Sequence, residues 1–274
     1  MIRYGLLAGN GRFPILALTE ARKLGHEVVV IGIEGEADFP ALEPLTPALH
    51  RITIAQLSKL IDICRSERVA ELMFAGQVKH VSIFSSLRPD WRLFKLLTSL
   101  PEKNTDALIG GVIKVLADEG ITVVDSTRLL KPLLASEGVM TRRKPTSDEE
   151  KQLKYGRRIA AALSGFDVGQ SVAISERACV ALEAMEGTDA MLRRAASMVN
   201  GKPIVLVKGS RRRGHLLFDV PVAGPQTIET MIETGTTAMA VDAGRTLLLD
   251  REDIMAAADK AGLAIVGYRV EDEA

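Results

Sequence analysis

Apolar residues in the first half of the chain alternate between short continuous runs and longer stretches with helical spacing. Strands are predicted for the runs at 4–8, 27–33, 71–75 and 121–124. Helices are predicted for the stretches at 13–24, 55–65, 89–100 and 105–118. Strands that alternate with helices are typical of a mostly parallel sheet covered on both faces, so residues 1–132 are predicted to form an N-terminal Rossmann-like domain.

The spacing changes after residue 132, where Pro, Gly and Ser accompany the basic run at 142–144. We predict that residues 133–148 are a linker between domains. Further helices are predicted at 147–163, 187–199, 225–233 and 251–261, with strands at 170–175, 178–182, 204–207, 238–241, 246–249 and 264–268. The fold class is therefore α/β with two domains, the second being a C-terminal mixed α/β domain over 149–274 that is expected to carry catalysis.

The composition indicates in which cellular compartment the protein resides and which classes of partner it binds. Lys plus Arg equals Asp plus Glu at 35 each, so no net field attracts nucleic acid. No run approaches the roughly 18 apolar residues that span a bilayer, and no secretory signal is recognisable. Cys64 and Cys179 lie far apart within apolar patterns, as buried thiols do. A cytoplasmic protein without a nucleic-acid partner is expected.

The turn that follows the first strand carries part of a dinucleotide-binding motif. Gly9 and Gly11 match the first two glycines of that motif, but Pro14 replaces the third. Glu34, at the end of the next strand, could bind a ribose hydroxyl. Two interpretations stay open: exposed amides that bind a phosphate, or a turn that needs glycine for its backbone angles alone.

Carboxylates in the second half suggest a metal site. Glu183, Glu186 and Asp189 surround the start of a helix, and Asp219 lies between an apolar run and Pro221. Mg²⁺ prefers such oxygen ligands, although acids at a helix start can also serve as caps. Because the four histidines are scattered, zinc chemistry is not expected. Acids beside a basic stretch fit hydrolysis of a phosphoanhydride.

Several motifs that span nearly the whole chain carry a resemblance to a known family. They are GLLAGNGRFP (5–14), FAGQVK (74–79), NTDALI (104–109), GQSVAI (169–174), EAMEGTDAMLRRA (183–195), FDVPVAGPQTIE (218–229) and AGRTLLLDRE (243–252). In this order they resemble the LpxI-type UDP-2,3-diacylglucosamine pyrophosphatases of lipid A and lipopolysaccharide biosynthesis. The resemblance implies two domains joined by a linker. It also implies Mg²⁺-dependent hydrolysis to UMP and 2,3-diacylglucosamine 1-phosphate (lipid X).

The resemblance also implies roles for individual residues. Asp219 is expected to be the principal catalytic carboxylate and the metal ligand, with Glu186 and Asp189 as further catalytic residues. Substrate-binding residues are expected at Gly9, Gly11, Gly76, Asp106, Gly187, Thr188, Lys208, Arg211 and Thr227. One stretch departs from the family, which commonly has Lys-Pro-x-Gln-Asp-x-Arg before the FDVP motif. Lys208 is kept, but 211–217 read Arg-Arg-Arg-Gly-His-Leu-Leu, which puts the phosphate contacts or the substrate in question.

The expected binding partners are inferred from the same resemblance and from the residue pattern of one predicted helix. The substrate is expected to be a UDP-linked diacylated glucosamine, and a homodimer is expected. Residues 86–100 hold more apolar residues than one core-facing stripe needs, interleaved with Arg88, Arg92 and Lys95. This pattern suits peripheral contact with the inner face of the inner membrane, but also a core helix or a dimer interface. An NAD(P)-dependent reductase and a non-catalytic nucleotide- or lipid-binding module remain alternative functions.

Overall fold

A computed structural model describes residues 3–78, 88–100, 105–125, 127–163, 166, 168–210 and 220–270, with the backbone alone at 105 and 106. Contacts between residues divide the chain into two compact units, 1–130 and 131–274. Each unit has its own sheet, and we describe each by itself.

The N-terminal unit contains a parallel sheet with helices between its strands. The described strands are β1 (Arg3–Ala8), β2 (Glu27–Ile33), β3 (Leu49–Ile52), β4 (Glu71–Ala75) and β5 (Thr122–Val123), in the order β3-β2-β1-β4-β5. The helices are α1 (Phe13–Lys23), α2 (Phe39–Leu42), α3 (Leu57–Ser66), α4 (Trp91–Ser99) and α5 (Thr105–Asp118). This arrangement confirms the predicted Rossmann-like sheet. The strand order reverses at β1, where such folds bind ligands.

The C-terminal unit contains a mixed sheet, as the sequence predicts. The described strands of this sheet are β6 (Gly138–Val139), β7 (Ser171–Ser175), β8 (Ala178–Leu182), β9 (Ile204–Lys208), β11 (Thr236–Asp242) and β13 (Ala264–Tyr268), in the order β6-β13-β11-β9-β7-β8. β9, β11 and β13 are parallel, whereas β6, β7 and β8 each pair antiparallel. β10 (Val222–Ala223) and β12 (Leu247–Leu248) form a separate parallel pair.

Helices cover both faces of the C-terminal sheet. They are α6 (Ser147–Leu163), α7 (Thr188–Met198), α8 (Pro225–Glu233) and α9 (Arg251–Lys260). α6 packs against Val205 and Val207, while the other helices pack in the core that includes Leu206. This division follows from the alternation of side chains along β9. Gly156 allows α6 to approach closely, because a Cβ there would lie 2.7 Å from Val207 Cγ2.

Residues 133–148, predicted to be a linker, pack within the C-terminal unit. β6 pairs with β13 at the sheet edge. Arg143 donates to both carboxylate oxygens of Glu149 at 2.7 and 3.0 Å and to the carbonyls of Thr237 and Gly262, each at 2.6 Å. Burial would raise the pKa of Glu149, but hydrogen bonds from Arg143 and from the Thr146 N–H hold it at about 2. The segment is therefore anchored by a partly buried ion pair.

No helix in the described part of the chain is long and apolar enough to cross a membrane.

Candidate functional site

The carboxyl ends of β9 and β11 meet at one edge of the C-terminal sheet, next to the start of β7. Lys208 ends β9 and pairs with Val241 of β11 and Ser171 of β7. Asp242 ends β11. Open α/β sheets bind ligands at the carboxyl ends of their strands, so functional side chains are expected at this edge.

The ammonium group of Lys208 is held inside the protein at this edge. Lys208 is only 8% exposed, and its Nζ donates to Thr188 Oγ1 at 2.7 Å and to Ser171 Oγ at 3.5 Å. Thr188 begins α7 and Ser171 begins β7, so regular elements position both hydroxyls. A buried charge is costly unless polar groups surround it, and this environment supplies them.

The hydroxyl of Thr188 joins the lysine to a carboxylate. Its Oγ1 lies 3.0 Å from Ser171 Oγ and 3.0 Å from Glu183 Oε1. An ammonium group only donates and an ionised carboxylate only accepts, so Thr188 accepts from Lys208 and donates to Glu183. Thr188 therefore fixes the position of Lys208 and has no proton left to donate to a ligand.

Asp189, the next residue of α7, has an unused acceptor. Its Oδ1 is buried and receives no hydrogen bond from the described residues. Burial raises the pKa of Asp189, and the charges of Lys208 and Arg193 offset part of this effect. Buried polar atoms are normally hydrogen-bonded, so an unpaired carboxylate oxygen beside a lysine indicates room for a cation or a hydrogen-bond donor.

Glu186 and Gly187 precede this cluster but do not join it. Glu186 is exposed; its carboxylate accepts from Arg194 at 2.5 Å and from the Ala184 N–H at 3.0 Å. Hydrogen bonds from its own N–H and from Arg194 lower the pKa of Glu186. Gly187 is the N-cap of α7 with φ at 82°, a conformation that favours glycine. These contacts explain both residues as parts of a helix start, and their predicted roles in catalysis and binding stay predictions.

A polar pair and a cavity lie on the α6 side of the same edge. Asp242 Oδ2 accepts from the N–H of Ser210 at 2.6 Å and from its hydroxyl at 2.7 Å. Both residues line a cavity of about 190 Å³, together with Lys154, Arg157 and Arg158 of α6. The loop that follows β9 is thereby fixed to β11 at its first residues.

Two predicted site residues in this unit lie outside the described residues, and a third is a helix cap. Asp219 and Arg211 belong to 211–219, which the structure does not describe. Thr227 is buried in the first turn of α8, where its Oγ1 accepts from the Gly224 N–H at 3.5 Å. The contact stabilises the start of α8.

The glycine-rich turn of the N-terminal unit contacts another loop of the same unit. Asn10 and Gln77 form an antiparallel bridge, with N···O distances of 2.7 and 3.0 Å. A Cβ at Gly9 would lie 2.5 Å from the Gln77 carbonyl oxygen, and one at Gly76 would lie 2.5 Å from that of Asn10. The requirement for glycine at 9 and 76 is therefore explained by the close approach of two backbone segments.

Gly11 and Asp106 complete the predicted residues of this unit. Gly11 has φ at 94°, and a Cβ built there would meet nothing within 4 Å. Glycine at 11 is thus explained by backbone angles. Asp106 lies in the first turn of α5. Binding roles for these residues stay predictions.

A preformed cage for a metal ion is absent from the described residues, where no three His, Cys, Asp or Glu side chains are grouped suitably. Mg²⁺ needs only one or two carboxylates, because phosphate and water complete its coordination. The unpaired Oδ1 of Asp189 fits one such ligand.

The sequence pattern assigns no role to Ser171, Ser210 or Asp242, which also lie at this edge. The only indication in the sequence is a polar residue at the end of an otherwise apolar strand, as with Ser171 before Val-Ala-Ile. Such a residue is also common at ordinary strand ends. Its partner 37 residues away, Lys208, is known only from the fold.

Family models cover nearly the whole chain. The LpxI N-terminal domain matches residues 3–133, and the LpxI C-terminal domain matches residues 136–266. A curated relative from Caulobacter vibrioides, named UDP-2,3-diacylglucosamine pyrophosphatase LpxI, is 30% identical. The match covers 97% of this chain and 98% of that protein.

Similarity to solved structures is weaker. A UDP-glucose-4-epimerase from Stenotrophomonas maltophila matches with a TM-score of 0.32 and 15% identity over 44% of this chain and 35% of its own. CobK precorrin-6A reductase matches with a TM-score of 0.30 and 13% identity over 100% of this chain and 90% of its own. The two family models and the full-length relative decide the assignment: the chain belongs to the LpxI family.

Proposed function

We propose that this protein hydrolyses the pyrophosphate bond of UDP-2,3-diacylglucosamine and releases UMP and 2,3-diacylglucosamine 1-phosphate, with Mg²⁺ as cofactor. The observation that carries the proposal is the match along both domains to a family whose curated member bears that activity in its name. The cluster around Lys208 is the chemical support, because Thr188 holds a buried cation and the next residue, Asp189, has an unpaired carboxylate oxygen.

Lys208 has the properties that pyrophosphate hydrolysis requires of a fixed cation. Attack of water on one phosphorus breaks the bridging P–O bond and leaves negative charge on the departing phosphate. A fixed cation stabilises this charge without reorganising, and the effect is strongest where water is excluded. Lys208 is buried and held by Thr188, so it is already in place before the substrate arrives.

Two carboxylates are proposed to hold Mg²⁺. Asp219 is the principal ligand by its position in the FDVP motif, and Asp189 offers the unpaired oxygen in the described residues. When bound, the metal polarises phosphoryl oxygens and neutralises developing charge. Like Lys208, Asp189 comes from a regular element, since it lies in the first turn of α7. The proton that water loses on attack is accepted by a carboxylate of this set or by solvent.

Glycine at 9 and 76 is explained by packing of the chain, so the N-terminal turn gives no support to an NAD(P)-dependent reductase. Formation of a homodimer stays a prediction.

The experiment that tests the proposal is incubation with UDP-2,3-diacylglucosamine and Mg²⁺, followed by mass spectrometry. We expect equal amounts of UMP and the sugar 1-phosphate, with ¹⁸O from labelled water in one of the two products. EDTA should stop the reaction, and Mg²⁺ or Mn²⁺ should restore it. Absence of UMP with intact protein would contradict the proposed reaction. Full activity in EDTA would contradict the proposed need for Mg²⁺.

A further inference from the structure

Helix α4 presents an aromatic pair to solvent. Trp91 is 74% exposed and Phe94 is 48% exposed, and their rings stack with centroids 6.0 Å apart. The opposite side of the helix faces the core, where Leu96 is buried and lies next to Gly111 of α5. One apolar stripe of α4 therefore packs in the core, and a second apolar stripe is exposed to solvent.

The fully exposed charged side chains on this helix and just before it are cationic. Arg88 and Lys95 are both exposed, and neither forms an ion pair within the described residues. The nearest acid in sequence, Asp90, is occupied at the helix start, where it accepts from the N–H groups of Leu93 and Ser58. We define the α4 face as Arg88, Trp91, Phe94, Lys95 and Thr98.

We propose that the α4 face docks the protein on the surface of an anionic lipid bilayer. Aromatic rings prefer the boundary between headgroups and acyl chains, and each cation close to an anionic surface adds attraction. Removal of two large apolar side chains from water supplies the remaining affinity. The combination in a single short helix is the arrangement found in helices that lie in the interface.

A second copy of this chain is a poorer occupant. In a two-fold symmetric dimer the same patch meets itself, so Arg88 and Lys95 of both copies would be brought together. Like charges at close range oppose association, whereas anionic lipids compensate them. The charge of the face thus favours the bilayer.

The inference goes beyond the proposed reaction and does not depend on it, since binding can be measured without substrate. If the proposed reaction is also correct, docking brings the protein to the membrane in which a diacylated substrate resides.

Trp91 makes a direct test possible, because it is the chain's single tryptophan. Vesicles of phosphatidylcholine and phosphatidylglycerol in equal amounts should shift its emission to shorter wavelength. Phosphatidylcholine with brominated acyl chains, included in the same vesicles, should quench it. Vesicles of phosphatidylcholine alone should do neither, and added salt should reverse the shift.

Two double variants separate the contribution of the cations from that of the aromatic rings. Arg88→Gln with Lys95→Gln should weaken binding to the anionic vesicles about 30-fold, at about fivefold for each cation. Trp91→Ala with Phe94→Ala should weaken it at least as much, measured by co-sedimentation. Leu24→Ala is the matched control, since Leu24 is an exposed apolar residue of the same unit, 58% exposed, and should bind as the unchanged protein does.

Three outcomes would overturn the inference. One is failure of the unchanged protein to bind anionic vesicles. Another is binding without a shift in Trp91 emission. The third is an emission shift that appears with rising protein concentration in the absence of vesicles, which would assign the face to a second copy. Folding of each variant is checked by circular dichroism and thermal unfolding. Activity on substrate in detergent micelles should not change in any folded variant, which separates this test from that of the reaction.

Discussion

The carboxyl edges of the two sheets are built differently. In the N-terminal unit, the loops after β1 and β4 are joined by backbone hydrogen bonds between Asn10 and Gln77, with Gly9 and Gly76 at the point of closest approach. In the C-terminal unit, side chains occupy the equivalent edge: Lys208, Thr188 and Ser171 form a buried polar cluster. Both edges are places where α/β folds bind ligands, and among the described residues a buried ammonium group lies at the second.

A glycine-rich turn and a set of polar residues at strand ends therefore indicate different things about a sheet edge. Backbone atoms can bind phosphate, but here the glycines are needed for contact between two loops. Polar groups buried at the end of an apolar strand are costly, so a cluster such as Lys208 with Thr188 and Asp189 needs another explanation than folding. The proposed reaction would provide one.

The largest effect is expected from Lys208→Met, which keeps the length of the side chain and removes its charge. We expect kcat/KM for UDP-2,3-diacylglucosamine to fall about 1000-fold, because a preorganised cation contributes several kcal/mol to such a transition state. The measurement is UMP release under conditions in which the variant's circular dichroism matches that of the unchanged protein. Activity above a tenth of the original would remove Lys208 from the site.

Asp189→Asn is expected to lower activity about 100-fold and to weaken Mg²⁺ binding. Glu176→Gln is the matched control, because this exposed acid of the same unit pairs with Lys202 and has no predicted role at the site; it should retain activity within about threefold. Equal losses in both variants would contradict the distinction between these acids. Titration calorimetry with Mg²⁺ measures the binding directly.

Stability provides a second readout for Asp189→Asn. Since burial raises its pKa in the folded state, the protonated form of Asp189 favours folding, and this contribution is lost as pH rises through the raised pKa. The Asn variant should therefore unfold at the same or a higher temperature than the unchanged protein at neutral pH. Mg²⁺ affinity of the unchanged protein should fall as pH drops towards the raised pKa. A lower melting temperature would show that the Asp189 carboxylate stabilises the fold.

Thr188→Val and Thr188→Ser should differ in activity and stability, because only serine keeps the hydroxyl group. Valine removes the hydroxyl that accepts from Lys208 at 2.7 Å and donates to Glu183 at 3.0 Å, so we expect a 10- to 100-fold loss of kcat and a loss of about 2 kcal/mol in stability. Serine keeps the hydroxyl and should recover most of both. A serine variant as impaired as the valine variant would show that the methyl group, and hence packing, matters instead.

Gly76→Ala and Gly11→Ala should change stability and leave the chemistry alone. Both glycines have positive φ, but a Cβ at 76 would collide with backbone while one at 11 would meet open space. We expect losses of about 3 kcal/mol or more at 76 and about 1 kcal/mol at 11. Urea unfolding measures both. Equal losses would contradict the account of the loop contact, and a large loss of activity in folded Gly11→Ala would instead give the turn a part in catalysis.

Much of the fold was predictable because buried strands are continuous apolar runs, as with residues 27–33 and 204–207. β3 was missed because His50 and Arg51 interrupt its apolar pattern at the sheet edge. The segment 133–148 contains the residues of a linker, yet Arg143 pairs with Glu149 and donates to the carbonyls of Thr237 and Gly262, more than 90 residues away. Long-range partners of a single charged residue leave no local pattern in a sequence.

The residues of the candidate site could be named from the sequence, whereas their arrangement could not. Lys208, Thr188 and Asp189 were selected through motifs, which indicate residues but not contacts. That Thr188 fixes Lys208, and that Glu186 lies outside the cluster, depends on where α7 begins relative to β9. For Gly9 the motif was misleading about the contact. The motif suggests a bound phosphate, whereas the group next to Gly9 is the Gln77 carbonyl.

Whether the chemistry lies at the carboxyl edge of the C-terminal sheet is decided by the rate of UMP release from UDP-2,3-diacylglucosamine. The unchanged protein, Lys208→Met and Gly11→Ala are assayed side by side with Mg²⁺. We predict rapid release by the unchanged protein, release within about threefold by Gly11→Ala, and about 1000-fold slower release by Lys208→Met. No release by the unchanged protein would contradict the proposed reaction. Loss of activity in folded Gly11→Ala with activity retained in Lys208→Met would place the chemistry at the other sheet.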